Sequence, residues 1–174
     1  MTIESRALDG IEPTLRQVFG GRRPTRWVTR ERPKIDRIAC PWLILRFIDP
    51  KAEFHFVPAA AVRDAGTRLN AEPFDIPDVR FSHRGELCSF DTFLADFGLK
   101  DKALGELATV IRGADTGRLD LAPEAAGLLA VSLGLSQVFA DDREMLEHGL
   151  VVYDAFYAWA KSARGERHGW PPAA

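Results

Sequence analysis

The sequence predicts an α+β fold: a single, mainly helical domain with a small β-sheet. Three observations lead there. Short alternating apolar runs are confined to the first half of the chain. Helical periodicity with capping signals dominates from residue 89 onward. With 46% hydrophobic and 10% aromatic residues over 174 positions, the chain can bury one substantial core.

Taken in order, residues 1–26 are expected to form an N-terminal extension or linker. Within it a short helix from Pro13 to Phe19 stops at Gly20-Gly21, and Arg22, Arg23 and Arg26 follow. Trp27-Val28-Thr29 is a first strand. Ile35, Ile38, Trp42 and Leu45 fall at helical spacing, with Pro41 kinking that helix or opening a second one and Asp49-Pro50 ending it. Glu53–Val57 alternates as a strand, with His55 as an exposed strand residue. Residues 62–78 read as loop, and Val79–Ser82 as another short strand. Ser89 or Asp91 caps a helix ending at Gly98. Asp101 caps one that runs to Arg112 and ends at Gly113. Ala122-Pro123 opens a third, whose apolar stretch ends at Gly134. Asp141 with Glu144 makes a capping box for a last helix over roughly 142–163, apolar enough to lie inside the domain. The folded domain is thus expected over 27–163, followed by a flexible tail at 164–174 in which His168 has no function.

Composition excludes several classes. The net charge of −2, with both signs mixed, gives no basic field for nucleic acid, so DNA binding is not expected. Two cysteines, Cys40 and Cys88, build no disulfide framework. The start lacks the order of a secretory signal, and no apolar run approaches a membrane span. A soluble, cytoplasmic protein that does not engage membranes is the expectation, with homo-oligomerisation left open. There is no dinucleotide or flavin fingerprint, so no nucleotide cofactor is expected.

The densest chemistry lies in residues 81–91, Phe-Ser-His-Arg-Gly-Glu-Leu-Cys-Ser-Phe-Asp. Imidazole, thiolate and carboxylate together suit zinc, iron or manganese, and Gly85 allows a turn that brings them to one ion. His83, Glu86 and Cys88 are the candidate ligands there, with Asp115 from the turn Ile111–Gly117 as a further oxygen donor. Cys88 at a helix N-terminus would have a favoured thiolate, making it a redox or nucleophilic candidate with His83 as acid or base. The bland alternative makes Cys88 a buried small residue and Asp91 a helix cap. Arg37 and Arg46 could be brought together by a break at Pro41 and join Arg112 in holding an oxyanion. Otherwise each arginine pairs with an acid. Asp154, an acid in an apolar helix, needs a partner, most simply an arginine. Asp36, Asp91 and Asp154 are read as supporting the primary ligands. Cys40 is assigned to packing.

The phrases Pro33–Pro50, His83-Arg-Gly-Glu-Leu-Cys-Ser-Phe-Asp91, Ile111-Arg-Gly-Ala-Asp-Thr116 and Val152-Tyr-Asp-Ala-Phe-Tyr157 resemble the C-terminal domain of the ChrB-type chromate resistance proteins. The resemblance covers about Trp27 to Ala163, with four motifs in order. It implies a role in bacterial chromate resistance, where longer members look like chromate-responsive regulators. With 26 residues before Trp27, a separate regulatory domain there is not expected.

Two function classes follow. One is a binding module for a metal ion or oxyanion, acting as sensor or buffer. The other is a metal- or thiol-dependent enzyme, a reductase or sulfur-transfer partner, using Cys88 and His83.

Overall fold

Three parallel strands in the order β2-β1-β3 form the floor of the molecule: β1 Arg26–Arg30, β2 Glu53–Val57 and β3 Glu72–Pro73. The structure, a computed structural model, describes residues 8–166. The tail expected over 164–174 lies mostly outside the described residues, and His168 lies outside them entirely. Parallel pairing needs crossovers, and these are supplied by α2 (Asp36–Leu43) with a π-helical turn at Ile44–Ile48, and by α3 (Val62–Leu69). Helices α4 (Ser89–Phe97), α5 (Lys102–Asp115), α6 (Ala125–Val138) and α7 (Asp142–Ala158) complete the fold. The expected α+β class, mainly helical with a small sheet, is what forms.

Helix α1 (Leu8–Phe19), within the expected N-terminal extension, packs against this body. Its Ile11, Leu15 and Val18 are buried in the main core. Phe19 joins an aromatic block with Trp27, Phe81 and Phe97, while Phe81 and Phe93 stack at 4.5 Å. A second block gathers Trp42, Phe47, Tyr153 and Tyr157.

Several local readings change. Residues 62–69 are helical, not loop. Val62, Ala65 and Gly66 lie buried against β1, where Gly66 approaches Val28. Small residues give a faint apolar signal, which hides the helical period. Val79–Ser82 makes only an isolated bridge, Phe81 to Phe74. Pro41 sits buried within α2 and does not divide it. Helix α5 continues past Gly113, whose missing side chain lets Ala125 of α6 approach; an added Cβ would stand 2.9 Å from the Ala125 Cβ. Helix α6 likewise passes Gly134 to reach Val138. Asp141 caps α7 through the amides of Arg143 and Glu144, in the place the sequence assigns it. Yet α7 is covered on one face only, for Val151 is 65% exposed.

Candidate metal centre

Four segments meet at the carboxyl edge of the sheet. Asp36 opens α2, which follows β1. Asp75 stands two residues beyond β3, His83 lies on the loop before α4, and Asp115 is the last residue of α5. Backbone geometry aims the first two inward. Ile35, which precedes Asp36, has φ +43° and ψ −103°, an uncommon conformation for a β-branched residue. It is held on both sides: its N–H donates to Ser132 Oγ at 3.2 Å, and its carbonyl accepts from the Tyr153 hydroxyl at 3.0 Å. Asp75 takes a left-handed conformation, φ +53°, which aspartate tolerates, and its N–H donates to the Phe81 carbonyl.

His83 Nε2 stands 3.1 Å from Asp115 Oδ2, 3.5 Å from Asp36 Oδ2 and 3.7 Å from Asp75 Oδ1. Donor atoms of Asp36, Asp75 and His83 all lie within 4.8 Å of one another. Atoms bonded to one transition metal at about 2.1 Å stand roughly 3.0 Å apart at octahedral angles and roughly 3.4 Å at tetrahedral ones. The three distances to His83 Nε2 fall close to that range.

The carboxylates are anchored from behind. Asp36 Oδ2 accepts the Ser89 amide at 2.5 Å and Oδ1 the Phe90 amide at 3.4 Å, so it closes the N-terminus of α4. Asp75 accepts the Ser89 hydroxyl at 2.8 Å and pairs with Arg30 at 2.8 Å and Arg37 at 3.4 Å. Three acids thus face two arginines and one histidine. The Asp36 hydrogen bond and the surrounding negative charge push the His83 imidazolium up to about 9, against the burial that opposes it. Burial, then the charges of Asp36 and Asp75, push the Asp115 carboxyl up to about 7. Asp36, fully enclosed, is raised by burial with His83 and the Ser89 amide opposing. Asp36 and Asp75 are buried, while 42% of the His83 side chain reaches solvent. A cleft of about 550 Å³, lined by Arg30, Asp75, Asp78, Ser82 and His83, opens the site on that side.

Of the expected ligands, His83 and Asp115 come together. Asp36, expected only in support, points at the same nitrogen. Glu86 does not join them: it is exposed and lines a separate cleft with Arg112 and Arg118. Cys88 is fully buried as the N-cap of α4, and its Sγ lies 3.3 Å from Asp91 Oδ2. Burial and the charges of Asp36 and Asp91 push its thiol far up, the reverse of the expected reactive thiolate. The three arginines do not converge. Arg37 pairs with Asp75 and with the Glu31 carbonyl, and Arg112 with Asp91 at 2.7 Å. Arg46 makes a two-pronged pair with Asp154, which also accepts the Trp42 indole N–H. Asp91 therefore caps α4 and Asp154 fastens α7 to α2. Cys40 packs in the core. Asp75 is the residue the sequence reading missed. A single acid in a stretch read as loop gives no signal until β3 and its left-handed turn are known.

The class is an α+β domain carrying a half-buried carboxylate–histidine cluster at the carboxyl edge of its sheet. The family described as ChrB, C-terminal domain, matches residues 27–160. Protein ChrB of Cupriavidus metallidurans is 38% identical over 139 residues, 79% of this chain and 41% of that protein. The chain belongs to the ChrB C-terminal domain family and spans under half the length of that relative. No solved structure matches it. No described helix is long and apolar enough to cross a membrane.

Proposed function

We propose that this domain binds one divalent transition metal ion through Asp36, Asp75, His83 and Asp115, and serves chromate resistance as a metal-dependent sensor or buffer in the cytoplasm. The observation that carries the metal reading is the meeting of three carboxylates on one imidazole nitrogen at 3.1–3.7 Å, two of those acids being buried. The chromate role rests on the family to which the chain belongs. Three oxygens, one nitrogen and no sulfur favour manganese or ferrous iron over softer ions, with zinc still compatible. Ser89, Arg30 and Arg37 orient Asp75 from behind, as outer partners of metal ligands do. The half-exposed histidine leaves a side open to the cleft, where a further small ligand or water can reach the ion.

A paired experiment tests this. Manganese titrated into the protein by calorimetry gives one site per chain, and His83→Ala weakens it by more than about a hundredfold, since a lost ligand costs more than the roughly ten- to hundredfold of a lost outer partner. In a chromate-sensitive bacterial host, the wild-type gene raises tolerance and the same variant does not. Tight binding without any effect on tolerance refutes the chromate role alone. No binding refutes the metal site.

A further inference from the structure

The cleft beside His83 has two unlike walls. One is polar and is formed by Arg30, Asp75, Ser82 and His83. The other carries exposed Pro77 and half-buried Val79. Arg30 commits Nη2 to Asp75, yet its side chain stays 40% exposed. The Ser82 carbonyl accepts the Thr92 hydroxyl, while the Ser82 hydroxyl itself has no partner among the described residues. A few such polar groups in a concave site, set against an apolar wall, are what orients a small ligand.

Charge and coordination select the ligand. With a divalent ion bound, the carboxylates of Asp36, Asp75 and Asp115 are opposed by the two charges of the ion and by Arg30 and Arg37. With His83 neutral, one positive charge is left over, which favours a monoanion. Asp78 at the rim does not reverse this, since Arg63 stands 4.0 Å from it. Manganese and ferrous iron favour six donors, so four side chains giving one atom each leave two positions open. A ligand with two neighbouring oxygens fills both, because its second bond forms at high effective concentration. Building on the metal site of the preceding section, we propose that this cleft binds a small 2-oxo or 2-hydroxy monocarboxylate through its carboxylate and the adjacent oxygen. Arg30 and Ser82 hold the outer carboxylate oxygen, and the short carbon tail lies against Pro77 and Val79. A tetrahedral dianion fits less well: it carries one charge too many and leaves the apolar wall uncovered.

Water-proton relaxation of the manganese-loaded whole chain tests the proposal, because water on the open positions speeds relaxation and a chelating ligand displaces it. Pyruvate and lactate, at about 1–10 mM, lower the enhancement to a saturating floor. Acetate, which lacks the neighbouring oxygen, acts at least about tenfold more weakly. Ser82→Ala takes up manganese as the wild type does and weakens pyruvate about three- to tenfold. Manganese-loaded protein whose relaxation neither acid changes overturns this inference and leaves the metal site standing. Sulfate that displaces the water as well as pyruvate does overturns the ligand class, and an unchanged pyruvate affinity in Ser82→Ala overturns the seat in this cleft. A chain that takes up no manganese refutes the metal site, and this inference with it.

Discussion

His83 presents one nitrogen to three carboxylates, and those carboxylates hold its proton up to about 9, so at the proposed site a metal would compete with the proton for the same atom. Binding at pH 7 must displace that proton. Apparent affinity for manganese therefore rises with pH, about tenfold per unit between 7 and 9, levelling above 9. Calorimetry in several buffers checks both the slope and the proton released. Cys88 gives the complementary expectation. Its thiol is buried and turned to Asp91, so Cys88→Ser leaves metal content unchanged and the native protein reacts slowly with thiol reagents at neutral pH. Fast modification of folded protein would contradict this. At this scale the sequence pointed to His83, one of four histidines, because it stands with other donor side chains in a glycine-bearing loop, and to Asp115 because glycines on either side let its turn approach a ligand. It could not disclose that Cys88 faces inward, because a cap and a nucleophile look alike until burial is known.

Helix packing rests on close approaches at glycine. At Gly149 of α7, an added Cβ would stand 2.5 Å from Ile38 Cγ2 of α2, whereas at Gly105 of α5 it would meet nothing within 4 Å. Gly149→Ala therefore destabilises by about 1–3 kcal/mol, as overpacking does, while Gly105→Ala stabilises by about 0.5–1 kcal/mol. Chemical denaturation of the two variants gives opposite signs, and equal signs would contradict the packing described. Elements with strong signals, β1, β2, α4 and α7, were legible from alternation and caps. Helix α3 was not, since Ala65 and Gly66 bury little apolar area and contribute through closeness to β1. The strain at Ile35 was invisible too, for it is imposed by Ser132 and Tyr153 from distant helices. Tyr153→Phe leaves that carbonyl without its donor and weakens metal binding about tenfold by loosening Asp36.

Across the whole molecule, the crowded acids cost stability that a cation at the proposed site would return. Without metal, the raised Asp115 carboxyl makes the folded state hold a proton the unfolded chain releases, so stability falls as pH rises from about 4 to about 7. The raised His83 contributes stability below about 6.5 that is lost as pH climbs through about 9. Saturating metal reverses the trend, because it binds only the deprotonated groups of the folded state. Thermal melts at several pH values show slopes of opposite sign with and without manganese between about pH 5 and 6.5, and above that the metal-loaded slope levels while the metal-free one stays negative up to about 9. The sequence placed most of this machinery in two loops but left out Asp75, since only the parallel β1–β3 pairing carries that residue to the others.

Elemental analysis of the purified chain after manganese loading and desalting tests the central claim most directly, with Asp75→Asn run beside it. The substitution keeps the side chain's size and removes the charge of the acid no sequence motif marks. One ion per wild-type chain and less than about a tenth of that in the variant is the expected result. Equal metal in both proteins, or none in either, would contradict it.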